Sequence, residues 1–211
     1  MDVGCGGMPR YTAYSGHPAL FNDEFLLVNY LAHLYLASDH PDAMLGSLMG
    51  DFVKGKLVAN MPERRLEAIE QHRWIDAWTD SHPIVKRSKT RISSRFRRYA
   101  PILIDMFYDH FLALNWSDHA SIDLDLFSAD VYRVLSAHHP HLPARMQPLD
   151  HYMVEHDLLG SYSRVEGIGR ALKGIERRLK RPSDLALAIA ELEVHYHELA
   201  ADFAEFLPQL V

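Results

Sequence analysis

Cys5 is the only cysteine in 211 residues, so no disulfide can form within the chain, a pattern that suits a reducing compartment. No apolar run approaches the roughly 20 residues of a membrane-spanning helix. The first residues lack a basic stretch followed by an apolar one, so no secretory signal is expected and the chain reads as cytoplasmic. There is no Gly-rich phosphate loop, no G-x-S-x-G elbow and no paired C-x-x-C. Cys5 itself lies among Gly4, Gly6 and Gly7 and makes a poor nucleophile. Strand-like alternation and internal repeats are also lacking. The length suits one domain, or at most two small ones, and a 48% hydrophobic composition can fill a sizeable core.

Histidine, by contrast, is plentiful, with 14 scattered through the chain. Charge is segregated. The net charge is -6, yet Lys86, Arg87, Lys89, Arg91, Arg95, Arg97 and Arg98 share one stretch without an acid. Arg170, Lys173, Arg177, Arg178, Lys180 and Arg181 form a second, opposed only by Glu176. Such patches are either solvated helix faces or docking sites for an acidic partner.

Residues 1–27 carry Gly4, Gly6, Gly7, Pro9, Gly16 and Pro18 without a clear period and read as an irregular extension. The domain proper, 28–211, reads as all-α, with Pro residues punctuating the helices. Helices are expected over Val28–Ala37 and from Asp42 to about Lys54, with Gly55 as a stop. Pro62 opens another that runs to about Thr79. Others are expected over Pro101–Trp116, from Ser121 or Asp123 to Ala137, and over Ala144–Asp157 and Tyr162–Lys180. Leu185, Ile189, Leu192, Tyr196, Leu199, Phe203 and Phe206 step by four and three, and predict one final helix.

His72 and Asp76 are four residues apart, so they share a helical face and can reach one cation. The same pair could be a simple helix contact worth a few tenths of a kcal/mol. Asp105 and Asp109 repeat that spacing among Ile102, Leu103, Ile104, Met106, Phe107, Phe111 and Leu112. Carboxylates in so apolar a run are costly to bury unless paired or bound to a cation. His110 follows Asp109 directly, and Asp51 lies beyond the small residues Gly46, Ser47 and Gly50. His33 sits in an apolar helix and reads as enclosed. Mixed imidazole and carboxylate donors suit manganese, iron, zinc or magnesium alike.

Four segments carry a resemblance. Asn29-Tyr30-Leu31-Ala32-His33-Leu34, Gly50-Asp51-Phe52-Val53-Lys54-Gly55, and His72-Arg73-Trp74-Ile75-Asp76 followed by Thr79-Asp80 occur in order. Asp105 through Asp109-His110-Phe111-Leu112 completes the set. Together they resemble the acyl carrier protein phosphodiesterases, from about Val28 to near the C-terminus. The resemblance implies a single-domain helical bundle akin to the HD-type metal phosphohydrolases. It implies hydrolysis of the phosphodiester joining 4′-phosphopantetheine to Ser of holo-acyl carrier protein, supported by Mn2+, with Mg2+, Fe2+ or Zn2+ as alternatives. Carried over, Asp51 is the strongest essential position. His72, Asp76, Asp109 and His110 join it as the catalytic and metal set, assigned as a group because the dyad reads Asp-His rather than His-Asp. His33, Asp80 and Asp105 are site-adjacent.

The resemblance also gives the basic stretches a purpose. Arg91, Arg95, Arg97, Arg98, Lys173, Arg177 and Arg178 would steer acidic acyl carrier protein. That partner is expected rather than nucleic acid, which the patches alone would equally suit, and no membrane is expected. Two alternatives remain at this level: an HD-like phosphohydrolase acting on a nucleotide, and a non-enzymatic helical protein that binds acidic partners. Residues 1–27 have no counterpart in the family pattern, and Val28 stands where an initiator Met would be, which an over-extended start would explain. Removing residues 1–27 should therefore leave thermal stability and activity nearly unchanged. A clear drop in the melting temperature of the truncated chain would show that the extension packs on the core.

Overall fold

The computed structural model describes residues 29–57, 60–179, 181 and 183–211. The expectations for residues 1–27, and for Val28 as a helix start, lie outside them. The regular structure among the described residues is helical throughout, without a strand. None of their helices is long and apolar enough to cross a membrane.

Helix α1 (Tyr30–Leu36) is followed by α2 (Pro41–Met49). Pro41 presets the first turn of α2, and the ring of His40 accepts the Asp42 N–H as its cap. Every residue of α2 from Ala43 to Met49 is buried. Against it lies α3 (Glu63–Ser81), which buries Ala68, Ile69, His72, Ile75 and Thr79, a stripe at helical spacing. The two helices nearly touch. A Cβ added at Gly46 would stand 2.4 Å from the Arg65 carbonyl oxygen and 2.7 Å from Ala68 Cβ. α4 (Pro83–Arg91) and α5 (Ala100–Leu114) follow. α5 runs through the centre, buried along nearly its whole length from Ala100 to Ala113.

Around that axis are α6 (Trp116–His119), α7 (Leu124–His138), α8 (Gln147–Glu155), α9 (Leu158–Ser161) and α10 (Val165–Glu176). The chain closes with α11 (Ile189–Val194) and α12 (Tyr196–Leu210). α10 turns Ile168, Ala171, Leu172 and Ile175 inward. Asp202 on α12 is almost fully buried. It accepts two hydrogen bonds from the Arg91 guanidinium, at 2.8 and 3.0 Å, one from Arg87 at 2.8 Å and one from Ser88 Oγ at 2.7 Å. That node clamps α4 to α12.

Several boundaries differ from the sequence expectation. α2 ends at Met49 rather than near Lys54, so Asp51 lies in the following turn, and Gly55 takes a left-handed φ of 75°. The helix expected through Trp116 stops at Leu114. Asn115 takes the Phe111 carbonyl with both its N–H and its side-chain amide, which competes with helix continuation. The helix expected over Tyr162–Lys180 begins at Val165, because Ser161 and Ser163 hydroxyls bond the carbonyls of Leu158 and Gly160 and end α9. The single final helix is in fact three pieces: a 3-10 turn at Leu185–Ala188, α11 and α12. The backbone leaves helical values at His195 for one residue, so the apolar stripe keeps its phase across the break.

Gly46→Ala should lower stability by about 1–3 kcal/mol, since a backbone carbonyl cannot yield as a side chain would. Urea denaturation of the variant checks this. An unchanged midpoint would mean that α2 and α3 can separate at no cost.

Candidate metal centre

α1 and α3 each deliver a histidine to one point. The His33 and His72 rings stack at 3.8 Å with an interplanar angle of 19°. His33 Nε2 lies 3.0 Å from Asp76 Oδ1, and His72 Nε2 lies 3.2 Å from Asp76 Oδ2. Asp76 thus spans both rings from one turn further along α3. Asp51 approaches from the turn after α2, its Oδ1 3.6 Å from His72 Nε2. Both histidines are buried, whereas the Asp76 side chain is 44% exposed, so the cluster opens to solvent on the Asp76 side. Among the described residues, His33, His72 and Asp76 form the one group whose ligand atoms all lie within 4.8 Å of one another.

The electrostatics follow from this packing. Burial disfavours a charged His72, but the Asp51 and Asp76 carboxylates outweigh it and push its pKa up to about 10. Burial works against an ionised Asp76 too, and the two histidines overcome it, holding the carboxyl below its usual range. His33 goes the other way, because burial dominates and lowers its pKa. His72 therefore holds a proton between two carboxylates, and a divalent cation would take that proton's place. His33 Nδ1, His72 Nδ1 and His72 Nε2 are buried without a hydrogen-bond partner. Unpartnered buried nitrogens are costly, and a cation satisfies those that face it. Two imidazoles and a carboxylate can hold a divalent metal.

Packing around the site leaves little slack. A Cβ at Gly50 would fall 2.2 Å from His72 Cγ, so only glycine lets this ring occupy its place. Ser47 Oγ donates to the His33 carbonyl at 2.9 Å. Arg73, next to His72, donates to the carbonyls of Val53 at 2.6 Å and Gly55 at 3.0 Å, which ties the Asp51 turn to α3. Arg73 carries no signal in the sequence, since its partners are backbone atoms 18 and 20 residues away.

The other sequence candidates lie differently. Asp109 is fully buried on α5, and its two oxygens accept the N–H groups of Leu31 (3.0 Å) and Ala32 (2.9 Å). Those are orphan donors of the first turn of α1, just before His33. His110 has both ring nitrogens engaged, Nδ1 with the Tyr162 carbonyl at 2.8 Å and Nε2 with Tyr196 Oη at 3.0 Å. Asp80 pairs with Lys89 at 2.7 Å on the surface. Asp105 is partly buried, and burial, with Asp76 and Asp80 nearby, pushes its carboxyl well above the usual range.

The basic residues also divide. Arg91 is engaged with buried Asp202, Arg95 pairs with Asp184, and Arg97 donates to the Ile92 carbonyl. Arg98 lies over the Tyr99 ring at 5.8 Å. Lys173 and Arg177 are exposed, at the basic end of α10. Arg178, exposed beside them, donates to the Gly174 carbonyl and shares with Tyr30 a small cleft. Tyr30 is one turn before His33.

Comparison with known proteins gives a consistent result. Residues 28–210 match the family described as acyl carrier protein phosphodiesterase. A protein of that name from Serratia proteamaculans (strain 568) is 36% identical over 185 residues, 87% of this chain and 96% of the relative. Those of Yersinia pestis and Photorhabdus laumondii are each 34% identical, covering 87% of this chain and 96% and 93% of their own lengths. No solved structure matches.

Asp109→Asn keeps one acceptor and turns an amide N–H toward the other donor, so it should cost about 1–3 kcal/mol. Burial pushes the Asp109 carboxyl up to about 7, against the two N–H bonds that pull it down. The folded pKa exceeds the unfolded one, so the native state binds more protons between about pH 4 and 7. Stability from Asp109 is then greatest near the low end and declines as pH rises through that window. Urea melts at several pH values should show the gap between wild type and Asp109→Asn narrowing toward pH 7. A constant gap would show that Asp109 does not titrate there.

Proposed function

This chain belongs to the acyl carrier protein phosphodiesterase family, and we propose that it hydrolyses the phosphodiester between 4′-phosphopantetheine and Ser of holo-acyl carrier protein, giving apo-acyl carrier protein. The observation that carries this reading to chemistry is the His33, His72 and Asp76 cluster, which sits within the matched segment. Its construction, histidines and carboxylates delivered from separate helices of an all-α bundle, supports an HD-like relationship. Mn2+ is the ion we assign first, and Mg2+, Fe2+ and Zn2+ suit the same donors.

A divalent cation there would activate water and offset charge on the phosphoryl oxygens. His33 and His72 would supply nitrogen donors to it from the buried side, while half-exposed Asp76 orients both rings and faces the opening. Asp51, 3.6 Å from His72 Nε2 and partly exposed, is placed to accept the proton of the attacking water. Asp109 acts one step removed, by holding the turn of α1 that aims His33. His110 ties α5 to Tyr162 and α12 and so stiffens the same wall. Both differ from the direct ligand role the family pattern suggested for them.

For the protein substrate, the basic end of α10 is the docking surface we assign. Arg178 lines the same cleft as Tyr30, which lies one turn before His33 on α1, whereas Arg91 and Arg95 are engaged within the fold. Attraction between this surface and an acidic partner raises the association rate and fades with salt, over a screening length of about 8 Å at physiological ionic strength.

The mass of holo-acyl carrier protein before and after incubation with enzyme and Mn2+ tests the reaction. Loss of the phosphopantetheine mass is expected, and chelation should abolish it. Asp51→Asn should lower turnover roughly 10²–10⁴-fold. Lys173→Glu with Arg177→Glu should raise KM for the protein substrate, blunt its salt dependence, and leave cleavage of a small phosphodiester unchanged. An intact mass under all metals would reject the proposed reaction.

A further inference from the structure

Five of the 14 histidines fall between residues 138 and 156, none of them in the metal centre above. His139, in the 3-10 turn after α7, and His151 on α8 face each other with ring centroids 4.8 Å apart and planes tilted by 51°. Behind His139 stands Asp150, whose side chain is nearly fully buried. His139 Nδ1 lies 2.6 Å from Asp150 Oδ2, while Asp150 Oδ1 is buried without a partner.

This arrangement determines the tautomer. A carboxylate at Nδ1 keeps the proton there and leaves the Nε2 lone pair pointing away from it. Carboxylates support imidazole ligands behind a metal in this way, by fixing the tautomer and the orientation of the ring. An acid with one unpartnered oxygen is costly to bury for a structural hydrogen bond alone. Two imidazoles on one tetrahedral ion, with metal–nitrogen bonds of about 2.0–2.1 Å, stand roughly 5 Å apart centre to centre. The observed separation is of that size, and a tilt rather than a parallel stack lets each ring turn an edge nitrogen to a shared point.

We propose that His139 and His151 form a second metal site, with Asp150 as the residue that orients His139, distinct from the His33, His72 and Asp76 centre. Its donors are two neutral nitrogens with solvent completing the shell. That set selects Zn2+, Ni2+ or Cu2+ and discriminates against the oxygen-preferring Mg2+ and Mn2+. A bound ion would staple the His-Pro-His turn to α8, and activity at the first centre does not depend on it.

Calorimetric titration of Zn2+ into the full chain, with thermal melts alongside, tests this. Wild type should bind one equivalent more than His151→Ala, and one more than His139→Ala. Asp150→Asn should weaken that equivalent about 10–100-fold. His197→Ala, an exposed histidine elsewhere, should bind as wild type does. His151→Ala keeps the His139–Asp150 pair intact, so it serves even if His139→Ala is poorly folded. Mn2+-supported cleavage of holo-acyl carrier protein should be unchanged in His151→Ala. Equal Zn2+ stoichiometry in wild type and His151→Ala would overturn the proposal.

Discussion

Asp109 has no access to solvent and gives both its oxygens to the first turn of α1. A seven-residue helix is too short to be stable alone, and its first N–H groups have no partners within it. A carboxylate from the central helix supplies those partners, so the direction of α1 is set by α5 rather than by α1's own sequence. His33 is the next residue after the two that Asp109 holds. The stacking of His33 on His72, and the reach of both to Asp76, depend on that remote cap.

The same economy of space appears on the other side of the cluster. α2 and α3 approach so closely at Gly46 and Gly50 that side chains there would strike the facing helix. Close approach brings the turn bearing Asp51 within 3.6 Å of His72, and Arg73 holds that turn from the neighbouring position. Each polar group near the centre is thus constrained by backbone from a different helix. The buried charge on His72 is tolerated because two partly exposed carboxylates, Asp51 and Asp76, flank it.

Charge patterning takes on a different meaning once the chain is folded. The longer basic stretch read as one docking face, yet Arg87 and Arg91 are tied to buried Asp202, and Arg95 pairs with Asp184. The acids that engage them lie about a hundred residues later, on α12 and just ahead of α11. α10 is built differently: its inner face is apolar, and it exposes Arg170 and Lys173 toward its C-terminal end, with Glu166 at its start.

By itself the sequence determined that the described part of the chain folds into helices without strands, because apolar residues recur at three and four and prolines mark the starts. It also determined that His72 and Asp76 share a face, since a helix dictates what lies four residues apart. Asp51 and His33 were legible as candidates through their segments. Tertiary structure decided the rest. Asp109 read as a candidate ligand because a buried carboxylate in an apolar helix needs a partner, and sequence cannot say whether that partner is a cation or an N–H 78 residues away; His110 joined the set through the family resemblance. His195 broke a helix that the apolar period carried straight through, and Asn115, Ser161 and Ser163 shifted helix ends by a few residues, because local hydrogen bonds and backbone turns leave no trace in hydrophobic spacing. The stacking of His33 on His72 likewise depends on how closely two backbones approach, which only packing in three dimensions sets.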